Sequence, residues 1–215
     1  MVTVADCERV QARWFGVRAQ LKGRTWVDEG HVWTDSPDDG VNLMFPVHPS
    51  LDVVRRGVAY AVQAGRPVVG VWLGLEADPS ALEAEGFERG WAPWWMTADV
   101  GDVGAADDPR ITVEPAYEGT CWKASALHEG RHAGQAWSFV VGELAGIFDM
   151  AVWPPFRRRG LGTGLLRQVC DAARSAGAKS AVLNATPEGK LLYSTCGFRQ
   201  IGEGITYWRH LPQTA

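Results

Sequence analysis

The chain has 215 residues, 46% of them hydrophobic, enough for one large or two small domains with a real core. Its net charge of −4 argues against general nucleic-acid binding. No apolar run approaches the ~20 residues that span a bilayer, and the opening residues MVTVADCER lack the basic-then-apolar pattern of a secretion leader.

In chain order, residues 4–21 show helical apolar spacing, 25–33 and 41–47 read as strands, and 51–64 again reads as a helix. Residues 68–74 form a buried strand, and 81–87 a short helix ending in Gly86-Phe87. The polar, acidic stretch 99–110 (DVGDVGAADDPR) reads as a linker or long turn between two halves. A strand at 111–115, a brief connection at 116–120, and strands at 122–127 and 133–141 follow. Gly142-Glu143 is a hairpin turn, and residues 144–152 are an apolar strand. Then come a glycine-rich turn, a helix over 165–176, a buried strand at 181–185, and a short helix ending Tyr193-Ser-Thr-Cys-Gly197-Phe198.

His128-Glu129-Gly130-Arg131-His132 matches the zinc-protease pattern His-Glu-x-x-His, which needs a helix to bring both imidazoles to one face. Gly130 and Gly134 weaken any helix there, and strand-like segments flank the run. Glu129-Gly130 is therefore read as a hairpin turn, with no metal expected. The four cysteines, Cys7, Cys121, Cys170 and Cys196, have neither zinc-ligand nor redox spacing and read as buried thiols of a cytoplasmic protein. Eleven tryptophans are many for this length; most belong to the core, and one or two are expected to touch substrate.

The run Arg157-Arg158-Arg159-Gly160-Leu161-Gly162-Thr163-Gly164 carries the most chemistry. It leaves a strand and opens a helix, so backbone N–H groups and the positive end of the helix dipole face outward beside three arginines. Those donors suit a pyrophosphate. A P-loop would end Gly-Lys-Ser/Thr and a dinucleotide fingerprint would read Gly-x-Gly-x-x-Gly; this run does neither.

Arg-x-x-Gly-x-Gly, at Arg157, Gly160 and Gly162, resembles the acetyl-CoA loop of the GNAT acetyltransferase superfamily. The flanks extend the resemblance: Met150-Ala-Val-Trp-Pro154-Pro-Phe156 before the loop, and Tyr193 four residues before Gly197-Phe198 after it. The resemblance is specific over residues 144–210. It implies an α/β (α+β) GNAT fold, a central, mostly antiparallel mixed sheet flanked by helices. The N-terminal half repeats the strand, short helix and Gly-Phe order, with Leu82 where the tyrosine would stand and no Arg-x-x-Gly-x-Gly. A degenerate GNAT-like lobe at 1–107, without CoA, and a catalytic lobe at 108–215 are expected. The C-terminal half lacks room for the usual helices after its first strand, so the N-terminal lobe is expected to wall the acceptor site.

By resemblance, Met150, Ala151 and Val152 would pair through their backbone with the pantetheine arm. Arg157, Arg158, Arg159, Gly160, Leu161, Gly162 and Thr163 would cradle the pyrophosphate, and Thr186 would also touch CoA. Tyr193 would be the general acid toward the sulfur. The strand position where some members carry a glutamate base holds Asn184, which takes no proton; Asp149 is the carboxylate candidate instead, ahead of Glu143. The reading is direct acetyl transfer from acetyl-CoA to a small-molecule amine, in a monomer or homodimer. A protein or peptide acetyltransferase and an inactive acyl-CoA sensor are the alternatives. Residues 1–110 carry 10 Lys/Arg against 17 Asp/Glu and residues 111–215 carry 11 against 8, a split that suits a cationic acceptor and an anionic cofactor.

Overall fold

The computed structural model describes residues 1–105, 107–117 and 119–212. The chain begins with α1 (Val4–Lys22), β1 (Arg24–Asp28), β2 (His31–Ser36), β3 (Gly40–Met44), α2 (Leu51–Gln63), β4 (Val68–Leu73), α3 (Ser80–Ala84), β5 (Glu88–Arg89) and β6 (Trp94–Asp99). It continues through β7 (Ile111–Ala116), β8 (Cys121–His128), β9 (Arg131–Val141), β10 (Leu144–Val152), a 3₁₀ turn at Pro154–Phe156 and α4 (Leu161–Ser175). It ends with β11 (Ser180–Ala185), α5 (Pro187–Thr195), β12 (Arg199–Glu203) and β13 (Ile205–His210). Residues 25–33, expected as one strand, are two, because Glu29 and Gly30 both take positive φ and close a β1–β2 hairpin.

Two mixed sheets result, ordered β1-β2-β3-β4-β13-β5 and β12-β6-β11-β10-β9-β8-β7. Each contains a parallel pair joined by a helical crossover: β3 with β4 through α2, and β10 with β11 through α4. The strand that ends each half enters the other half's sheet. β6 pairs antiparallel with β11, and β13 pairs antiparallel with β4. The chain accordingly divides into two compact units, residues 1–10 with 94–202 and residues 11–93 with 203–215. By this division the expected boundary at 107/108 falls inside the first unit, and the described residues 100–105 and 107–110 of the expected linker belong to that unit. The cause is the strand exchange, which a composition shift does not report.

The repeat is visible in the helix ends. Phe198 N–H bonds the Tyr193 carbonyl and Gly197 N–H that of Ser194, while Phe87 N–H bonds Leu82 and Gly86 N–H bonds Glu83. This is the same left-handed glycine C-terminus twice, with Gly197 at φ 87 and Gly86 at φ 73. In the first unit, Leu161, Leu165, Leu166 and Val169 of α4 pack on the small side chains Ala124, Ala126, Ala133 and Ala136 of β8 and β9. In the second, Val53, Val54, Val58 and Ala61 of α2 pack on Trp33, Leu43, Val69 and Val71. Among the described residues no helix is long and apolar enough to cross a membrane.

Candidate functional site

The site begins where two strands part. β10 pairs with β11 only from Leu144 to Gly146, against Ser180 to Val182. Beyond that point β11 runs on beside β6, and β10 runs on beside β9. Between Phe148 and Ala151 the β9–β10 register shifts: Asp149 and Met150 stand opposite Ala136 alone. Asp149 takes φ 47 within this bulge. The bulge turns the last residues of β10, Met150 to Val152, away from the plain ladder. An extended amide chain fits along an edge opened in this way.

The glycine loop lies at the end of that edge. Gly160 is the N-cap of α4 at φ 78, and no side chain caps the helix. Arg158 also has positive φ, at 62. The first bond of the helix is Gly164 N–H to the Gly160 carbonyl. Among the described residues none accepts from the backbone N–H groups of 158–163. A run of N–H donors interleaved with left-handed residues is an anion cradle. The α2 start in the other unit is the opposite case. There the Ser50 side chain accepts from Val53 N–H, and β3 stays paired with β4 over Val41–Met44, extended by Phe45 N–H to the Trp72 carbonyl.

Three of the segments singled out in the sequence converge here: the glycine loop, the end of β10 and the Tyr193 helix. A Cβ on Gly162 would lie 3.1 Å from Leu192 Cδ2 and 3.8 Å from both Met150 Cε and Val152 Cγ2. Tyr193 is buried in the same apolar cluster as Leu161 and Ala185, its ring 5.9 Å from that of Phe198. Burial pushes its phenol up to about 12. Among the described residues nothing hydrogen-bonds its hydroxyl. Thr186 caps α5 by accepting from Gly189 N–H at 3.2 Å. Arg157 turns back: its Nε donates to the Val152 carbonyl at 3.0 Å, tying the strand end to the loop. Arg158 and Arg159 are exposed.

Of the carboxylates, Asp149 is exposed on the bulge, and Glu143 lies in the Gly142 turn, ion-paired with Lys179. Asn184 lies on β11 opposite Trp95 of β6. The His-Glu-x-x-His run is a β8–β9 hairpin, with Glu129 and Gly130 at φ 52 and 74. His128 pairs with Arg131 and His132 with Leu127, so the two histidines do not share a helix face. Sequence reasoning missed Arg110, whose guanidinium reaches the Arg159 carbonyl at 3.2 Å. It also missed Lys190, which lies 4.5 Å over the Trp94 ring. Arg110 was hidden in a stretch that reads as linker.

A parted parallel strand pair, an uncapped glycine helix start and a buried tyrosine thus occur together in one α/β unit. The Acetyltransferase (GNAT) family model matches residues 84–198, more than half of the chain, and the protein belongs to that family. The fold is similar to a GCN5-related N-acetyltransferase from Kribbella flavida, at TM-score 0.66 and 15% identity over 97% of this chain and 96% of that one. It is also similar to a tandem GNAT protein from the clavulanic acid biosynthesis pathway, at TM-score 0.53 and 12% identity over 100% and 98%. A rice (Oryza sativa subsp. japonica) protein named "Probable glucosamine 6-phosphate N-acetyltransferase 2" is 34% identical over 61 residues. That match spans 28% of this chain and 37% of the rice protein.

Proposed function

We propose that this protein transfers an acetyl group from acetyl-CoA to a primary amine of a small molecule in the cytoplasm. The observation that carries the reading is the row of N–H groups at 158–163 at the end of the parted β10 edge. A pyrophosphate accepts from that row, and the pantetheine amides pair with Met150 to Val152. Acetyl-CoA supplies the activated thioester. The second unit keeps its parallel strands joined and its helix capped, so one CoA per chain is expected.

The chain's own contribution follows from chemistry. The neutral amine attacks the thioester carbon, the carbon–sulfur bond breaks, and the sulfur takes a proton from the Tyr193 hydroxyl. The amine's surplus proton leaves through Asp149 or water, and tyrosine is reprotonated from solvent. A phenol held at about 12 stays protonated throughout the neutral range. Backbone N–H groups beside the bulge stabilise the developing oxyanion. An acidic N-terminal half, net −7 over residues 1–110, favours a cationic acceptor. The rice relative's name refers to a small phosphorylated amino sugar, which supports the small-molecule class.

Asn184 in place of a strand carboxylate favours one rival, a sensor that binds acyl-CoA without turnover. The test is release of free CoA thiol from acetyl-CoA in the presence of amino sugars, polyamines, aminoglycosides and peptide N-termini. Turnover on a small amine is the expected result. Turnover on peptides alone selects the protein acetyltransferase, and CoA binding with no turnover selects the sensor.

A further inference from the structure

We infer that Arg110 is a positioning residue of the anion-binding loop, fixing the Arg159–Gly160 peptide through its carbonyl. The inference rests on the CoA reading of that loop.

Arg110 precedes β7, almost fifty residues before the loop, yet its Nη1 donates to the Arg159 carbonyl at 3.2 Å. Its guanidinium is locked from behind, because Asp108 accepts from Nε at 2.9 Å and from Nη2 at 2.6 Å. That fork fixes the plane of the group and aims Nη1. The turn carrying the pair is itself fastened. The Asp108 carbonyl accepts from Gln168 Nε2 of α4 at 3.2 Å and from Ile111 N–H at 2.9 Å, and the Arg110 carbonyl from Leu127 N–H at 2.8 Å. Gly164 lets Asp108 approach, since a Cβ there would lie 3.2 Å from Asp108 Oδ2.

The loop needs such a hold. It contains two left-handed residues, Arg158 and Gly160, and among the described residues no other side chain bonds the backbone of 158–160. The Arg159–Gly160 peptide is trans, so a carbonyl held by Arg110 directs the Gly160 N–H away from that guanidinium. Arg110 thus sets the orientation of the first helix-capping donor without itself having to touch the ligand.

Bare electrostatics makes the opposite forecast for Asp108. Removing a carboxylate near a polyanion site strengthens anion binding, whereas removing the anchor of Arg110 weakens it. The experiment is calorimetric binding of CoA to the wild type, Asp108→Asn, Arg110→Gln, Arg110→Lys and the Asp108→Asn/Arg110→Gln double variant. Each is accompanied by a melting temperature and the amide resonance of Gly160 in the free protein. The expected result is a loss of roughly tenfold in each single variant, the size of one charge-assisted hydrogen bond. Lysine should not rescue, because it has no fork. The double variant should be no weaker than Arg110→Gln alone, and the Gly160 amide should move while the melting temperature holds. Tighter or unchanged binding in Asp108→Asn overturns the inference and leaves the CoA site standing. So do additive losses, or a fallen melting temperature with an unmoved Gly160 amide. Absence of CoA binding by the wild type overturns the CoA reading and this inference together.

Discussion

Gly162 and Leu192 stand face to face across the site, with room for a hydrogen on the glycine and no more; a Cβ would lie 3.1 Å from Leu192 Cδ2. The contact couples the glycine loop to the helix that carries Tyr193, since Leu192 and Tyr193 are neighbours on α5. Gly162→Glu places both bulk and negative charge at this point, within the row of N–H groups proposed to hold the pyrophosphate. CoA affinity should fall by about 100-fold or more, the scale of losing a charged contact and gaining a repulsive one. Calorimetry beside a melting curve checks this, and retained affinity in the variant would remove the loop from the binding site.

Tyr193→Phe separates chemistry from binding. The ring stays in its buried place against Phe198, so CoA affinity should be unchanged, while kcat falls about 100-fold, the low end for a lost general acid. The pH dependence has a definite sign. The folded pKa, about 12, lies above the 10.0 of a free tyrosine, so the fold favours the neutral phenol. The stability tied to that neutral form is complete below pH 10 and is lost as the pH rises from 10 to about 12. The kcat profile should accordingly show no alkaline decline from this group below pH 10. A midpoint near 8 that vanishes in Tyr193→Phe would show that the tyrosine ionises where this account keeps it neutral.

Much of this was legible in the chain because it is local. The loop, the Tyr-to-Gly-Phe helix end and the Glu129-Gly130 hairpin are each written in fewer than ten consecutive residues, and each appears in the structure as read. What escaped was long range. Which sheet a strand joins depends on partners far along the chain, so the exchange of β6 and β13 left no periodic trace. Arg110 meets Arg159 only after α4 has packed on the β7–β8 hairpin, and in sequence it is one arginine after an acidic loop. The bulge at Asp149 was equally silent, because its residues alternate no differently from those of a regular strand.

The second unit holds a buried ion pair whose removal should cost stability rather than chemistry. Asp35 is 2% exposed. It accepts from Arg66 Nε at 2.6 Å and Nη2 at 3.1 Å, and from the Tyr60 hydroxyl at 2.8 Å. Asp35→Ala strands a part-buried guanidinium and a phenol at once. Breaking one side of a buried pair costs about 3–5 kcal/mol. Urea unfolding should show a midpoint lowered to match, and a loss under 1 kcal/mol would mean that water replaces the carboxylate there.

Two substitutions on α5 should act in opposite ways on stability and on rate. Thr186 accepts from Gly189 N–H and caps the helix, so Thr186→Ala should cost about 1 kcal/mol and act on kcat only through fraying. Gly189→Ala adds helix propensity of about 1 kcal/mol but sets a Cβ 3.0 Å from Tyr193 Cε2. The ring must then move within a buried site, where small displacements of an acid lower its rate contribution. Gly189→Ala should therefore melt no lower than wild type yet turn over at least tenfold more slowly at saturating acetyl-CoA, a loss in the range expected for a misplaced proton donor. Thr186→Ala should melt lower and keep most of its turnover at low temperature. Equal turnover by Gly189→Ala and wild type would mean that the Tyr193 ring position does not govern the step assigned to it.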